Sequence, residues 1–180
     1  MSDQVRRAIR DFLAADRQRQ IRFLAELVKV PSDNPPGDCR AHSERAAQLL
    51  EELGFKVERH AVSADLVRAN GMISCTNLVV RERFAAPGPV IALNAHGDAV
   101  PPGLGWSADP YGAEIRDGAM YGRGVAVSKS DFATYAFALL SLKNFSSELQ
   151  GSVELHFTYD EETGGEIGPK WLLAQRITRP

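Results

Sequence analysis

Two stretches of this chain end in side chains able to do chemistry. The first is Val90–Asp98, VIALNAHGD, and the second is Val153–Glu162, VELHFTYDEE. Each is an apolar, β-branched run that stops abruptly at an imidazole or carboxylates. His96 and Asp98 lie two apart, so an extended chain points both toward one face. Asp160, Glu161 and Glu162 follow a strand on which Val153, Leu155 and Phe157 share a face. Taken singly, a strand-end histidine or an acidic turn is usually hydrogen-bonded surface or solvated charge. Together in one open α/β sheet they would converge, because ligands bind beyond the carboxyl ends of such strands. A neutral imidazole and carboxylates suit a divalent metal such as Zn²⁺. A further carboxylate that is not a ligand could take the proton of a water held there. Aspartate two residues after a ligand histidine has the position of a group that orients the ring. His42, His60 and His156 show no acidic or cysteine partner at ligand spacing and are read as structural, and Arg123 between two glycines as a turn cap.

The elements that must position these groups follow from periodicity. Asp3–Lys29 is helical, with Val5, Ile9, Phe12 and Leu13 on one stripe and Ile21, Leu24, Leu27 and Val28 on another. The polar segment Ala15–Gln20 between them is either a break or a bend. VPSDNPPGD (Val30–Asp38) is a loop. A helix fits Arg40–Leu53, capped by Gly54, and a strand fits Phe55–His60. Ser63–Gly71 reads as a connection, Cys75–Phe84 as a strand, and Ala86–Pro89 as a turn into a central strand Val90–Ala95. A Gly- and Pro-rich loop leads to a hairpin over Glu114–Tyr121, turning at Asp117–Gly118. Gly122–Gly124 marks a close approach. Val127–Leu142 is helical, Gly151–Tyr159 a strand, and Glu166–Gln175 a last helix. This order predicts an α/β fold, a three-layer sandwich around a mixed central sheet.

The totals bound the function classes. The chain has 180 residues, 44% apolar and 24% charged, with a net charge of −2. That suffices for one domain with a real core, and gives no reason to expect nucleic acid or an anionic membrane as partner. No run approaches the roughly 18 apolar residues of a membrane span. The charged start MSDQVRRAIRDF lacks the apolar stretch of a secretory signal, and the two cysteines, Cys39 and Cys75, read as thiols of a reducing compartment. The expectation is a soluble cytoplasmic protein.

Longer motifs carry a resemblance. LNAHGDAVPPGLGWSADPYGAEIRDGAMYGRG, then a helix, then GSVELHFTYDEETGGEIGPKWLL resembles the M20 metallopeptidases and aminoacylases, the group of acetylornithine deacetylase, succinyl-diaminopimelate desuccinylase and carboxypeptidase G. PSDNPPGD, the helix ending in LGF and the strand start TNLVV extend the likeness to about Ile21–Leu173. The resemblance implies a zinc-exopeptidase-like fold and hydrolysis of an amide bond in N-acyl amino acids or small peptides. It implies one or two Zn²⁺, with Co²⁺ or Mn²⁺ as substitutes. By position, His96 and Glu162 would ligate metal, Asp98 would orient His96, and Glu161 would be the general base. Gly122, Arg123 and Gly124 would be scaffold.

Two departures accompany the match. Where the family has a metal-bridging aspartate after its Gly-Arg-Gly turn, this chain has Val127, which cannot ligate; Asp131 lies one helical turn on. The family also continues further, with another acidic ligand, a lid or dimerisation domain and a late histidine. Residues 1–180 therefore correspond to the N-terminal half of such a catalytic domain, an incomplete sheet for which association, as in a homo-oligomer, or instability is expected. The alternative these departures raise is a non-catalytic, M20-like binding protein or a truncated remnant lacking a complete dimetal site.

Overall fold

The computed structural model describes residues 2–179. Two helices, α1 (Asp3–Ala15) and α2 (Arg17–Val28), meet at Asp16, whose φ/ψ of −86°/5° breaks the run, so the polar segment is a break. Helix α3 (Arg40–Glu52) follows the proline loop, and Gly54 beyond it takes φ 83°, the left-handed conformation that ends helices. Strands β1 (Val57–Ala61) and β2 (Thr76–Arg83) flank a short helix α4 (Ala64–Ala69). That helix lies in the segment expected to be a simple connection. It is nucleated by Ser63, whose side chain accepts from the Leu66 N–H.

Strand β3 (Ala86–His96) is longer than expected. The residues read as a turn, Ala86–Pro89, already belong to it, with a register irregularity between Ala86 and Val90. The hairpin β4 (Glu114–Arg116) and β5 (Ala119–Tyr121) turns at Asp117 and Gly118, both at positive φ, as a primed two-residue turn requires. Helix α5 (Lys129–Lys143), strand β6 (Gln150–Thr158) and helix α6 (Pro169–Ala174) complete the chain. Helix α6 is shorter than expected because Pro169 occupies its first turn, where a missing N–H costs nothing.

The main sheet has the order β1-β2-β6-β3, with β3 parallel to β6 and the other pairs antiparallel. The mixed sheet is as expected. The strand Val90–Ala95, expected at the centre, is instead the edge, and β6 lies inside it. That edge carries no charge before His96, and Val90 and Ile91 are exposed.

Strand alternation divides the sheet into two faces. Leu78, Val80, Leu155 and Phe157 enter the main core with Phe23 and Leu27 of α2, Leu50 of α3 and Phe132 and Phe137 of α5. The opposite face carries a charged network. Arg81 donates to Glu154 at 2.9 Å and also pairs with Glu58, while His156 and His60 stand 2.9 and 3.0 Å from these two glutamates. Arg81 also donates to the Ile177 carbonyl, and Thr178 to Glu154, which ties the end of the described chain to this face. His60 and His156 thus do have acidic partners, contrary to the sequence reading, though inside a network that anchors the sheet. No helix among the described residues is long and apolar enough to cross a membrane.

Candidate metal centre

The ends of β3 and β6 converge because the two strands are parallel neighbours, with His96 paired to Thr158. The chain leaves β3 through Gly97, whose N–H donates to the Thr158 carbonyl at 2.8 Å. Beneath this turn lies an aromatic floor: Phe132 stacks on Phe157 at 4.0 Å, and Tyr159 meets Phe132 edge-on at 6.1 Å. A Cβ on Gly97 would stand 2.5 Å from the Tyr159 ring and 3.0 Å from Phe132. Gly97→Ala should therefore destabilise by about 1–3 kcal/mol through overpacking; a thermal melt equal to the parent's would show that the floor yields.

His96 is largely buried, and its Nδ1 lies 2.9 Å from the Asp98 carbonyl and 3.3 Å from Asp98 Oδ1. Its Nε2 faces the other way, 3.8 Å from Glu161 Oε2. Burial opposes the imidazolium, but the hydrogen bonds and charge of Asp98, with Glu161 behind them, outweigh it and hold the His96 pKa above its ordinary value.

The acidic turn is a single 3₁₀ turn, Glu161–Thr163, entered through Asp160 and left through Gly164 at φ 111°. Asp160, itself buried, accepts from the Ile167 N–H at 2.6 Å, while its carbonyl receives the N–H groups of Thr163 and Gly165. Burial raises the Asp160 pKa against the lowering effect of the Ile167 and Gly168 N–H groups on its carboxylate. Asp98, fully buried, receives the Glu162 N–H at 3.2 Å and the Glu161 N–H at 3.4 Å. It therefore touches both halves of the site.

One donor atom each from His96, Glu161 and Glu162 lie within 4.8 Å of one another, the sole such group of three among the described residues. One nitrogen and two carboxylates with an open side match the donor chemistry of a catalytic divalent site. All four residues singled out in the sequence are brought together. Val127 is exposed, and Asp131 is engaged elsewhere, accepting from Ser128 Oγ at 2.7 Å in the first turn of α5. Arg123 donates to the Pro101 carbonyl at 3.0 Å and stacks over Trp106, and a Cβ on Gly122 would collide with Val28 at 2.5 Å, so the Gly-Arg-Gly turn is packed scaffold. Sequence reasoning missed Asn34 as a neighbour of the site and gave Asp160, though placed in the acidic run, no role of its own. Nothing local marks Asn34.

Comparison with known proteins gives a consistent picture. The model of peptidase family M20/M25/M40 matches residues 92–179. The succinyl-diaminopimelate desuccinylase of Wolinella succinogenes is 42% identical over 154 residues, covering 85% of this chain and 37% of that protein. The dipeptidase Dug1p of Saccharomyces cerevisiae superposes with a TM-score of 0.77 at 16% identity, over 97% of this chain and 38% of that one. The YXEP protein of Bacillus subtilis, described as a dinuclear metal binding peptidase from the M20 family, superposes at 0.61 with 22% identity, over 91% of this chain and 40% of its own. At such identities the two structures establish the fold. The chain spans little more than a third of the length of the curated relatives it matches.

Proposed function

The chain belongs to peptidase family M20/M25/M40, and from that membership we propose that it is the N-terminal, metal-holding half of a hydrolase cleaving the amide bond of N-acyl amino acids or small peptides. N-succinyl amino acids are the first substrates to test, since the desuccinylases are its relatives by sequence. The convergence of His96, Glu161 and Glu162 carries this reading.

In it, His96 and Glu162 hold the metal, Zn²⁺ with Co²⁺ or Mn²⁺ as substitutes. When bound, the ion supplies Lewis-acid polarisation of the scissile carbonyl. Asp98 engages Nδ1 of His96 and so leaves Nε2 as the ligating atom. The Glu161 carboxylate, more than half exposed, is free to take a proton from water at Oε2 and return it to the leaving amine. Val127 contributes no donor, so a second metal draws on groups beyond the three assembled here. Residues 1–180 correspond to the N-terminal half of a catalytic domain, and the uncharged β3 edge is where a further strand, or a second copy, would add. Partners are a small substrate and a like subunit, with no role for nucleic acid or membrane, in the cytoplasm. The family relationship favours this over the non-catalytic alternative.

The test is Zn²⁺ titration into metal-free protein. Binding is expected in the parent, weakened about 10-fold or more in His96→Ala and in Glu162→Ala, and unchanged in Asp131→Ala. No binding by the parent, or binding indifferent to His96 and Glu162, would sink the proposal.

A further inference from the structure

We infer that Asn34 is a positioning residue of the metal centre, acting through Asp98 on both the imidazole and the acidic turn. The consequence for metal binding rests on the reading above; the positioning itself does not. The proline loop reaches the site by a short zipper. Ser32 Oγ donates to the Gly97 carbonyl at 2.6 Å, the Ala99 N–H to the Ser32 carbonyl at 3.1 Å, and the Asn34 N–H to the Ala99 carbonyl at 2.9 Å. This delivers the Asn34 side chain, itself fully buried, to Asp98, where Nδ2 donates to Oδ2 at 2.9 Å. The same Nδ2 lies 3.4 Å from Thr163 Oγ1, on the acidic turn.

A buried carboxylate must have its lone pairs filled by donors. Asp98 finds them on His96, on the backbone of Glu161 and Glu162, and on Asn34. The amide can face the carboxylate with its NH₂ only, since the reverse would set oxygen against oxygen. That orientation leaves Asn34 Oδ1 buried with no partner among the described residues. An unpaired desolvated acceptor is costly, and calls for an explanation when kept. Here the explanation is the other end of the side chain: a neutral double donor that fixes Asp98 without adding charge beside the ligands.

The test is residue-by-residue amide exchange by NMR on the metal-free chain. In Asn34→Ala, the Glu161 and Glu162 amides should exchange about 10-fold faster, the loss of roughly one hydrogen bond's worth of restraint. Amides of Leu78 and Leu155, deep in the sheet, should not change. Zn²⁺ affinity in the same variant should fall about 10- to 100-fold. Unchanged exchange at Glu161 and Glu162 overturns the inference, even if the parent binds Zn²⁺. Failure of the parent to bind Zn²⁺ overturns the metal reading and leaves exchange to decide for Asn34. If Asn34→Ala does not fold, the Asn34 side-chain NH₂ protons of the parent decide: slowed exchange supports the inference, and the rate of an unstructured amide overturns it.

Discussion

Glu161→Gln should lower amide hydrolysis about 10²- to 10⁴-fold, the usual worth of a positioned general base, while Zn²⁺ binding persists. Glutamine keeps the size of the side chain and one carbonyl oxygen but cannot accept and pass on a proton. Asp98 receives the N–H groups of both glutamates, and the Glu161 carboxylate stands 3.8 Å from His96 Nε2 with more than half of its surface open. An open carboxylate beside the His96 ring nitrogen can meet a water and a substrate amine in turn. Hydrolysis of an N-succinyl amino acid, followed alongside a Zn²⁺ titration of the same variant, checks this. Equal loss of metal and of turnover would make Glu161 a ligand; turnover unaffected by the substitution would remove it from the chemistry.

Much of this arrangement was legible in the residues because it is local. The alternation of Val153, Leu155 and Phe157 forces one face of β6 into the core, and the chain then emerges at Asp160–Glu162 with no freedom to turn elsewhere. Asp117–Gly118 fixed the small hairpin for the same reason, since the two positive φ values it needs suit those residues. What was not legible depends on pairings between distant residues. That β3 is an edge and β6 interior follows from β6 pairing with β2 on one side and β3 on the other, a choice no window of sequence contains. Its run of apolar residues fits a central strand equally well. Helix α4 was missed because six residues give too little periodicity, and only the Ser63 cap announces it. Asn34 sits in a proline loop whose local signal is irregular chain, and its meaning arises from bridges to Gly97 and Ala99. The departure at Val127 remains as the sequence stated it: the side chain is exposed, and Asp131 is occupied by Ser128.

The stability of the chain should rise between about pH 8 and 10.5 through Lys129, and Lys129→Met should abolish that rise. Lys129 opens α5 and is 1% exposed; its Nζ donates to the Val30 carbonyl at 3.2 Å. Gly124 packs on its stem, where a Cβ would come within 3.2 Å. Burial lowers its pKa from the ordinary 10.5 to about 8, only partly opposed by the charge of Asp33. The sign follows from proton counts. Below the folded value both states hold the proton, so the cost of the buried charge is fully present. Between the two values the unfolded chain keeps the proton that the native chain releases, so stability climbs with pH. Above the unfolded value the gain is complete, and it is lost again as pH falls through about 8. The interval corresponds to about 3 kcal/mol, an upper figure because water reaching the ammonium would reduce it. The measured quantity is the difference between parent and variant in urea midpoint, taken at pH 7 and pH 10. Methionine fills the same channel without a charge, and the variant should be the more stable at pH 7, with the gap closing by pH 10. A gap constant with pH would mean that Lys129 is charged in the native state throughout this range.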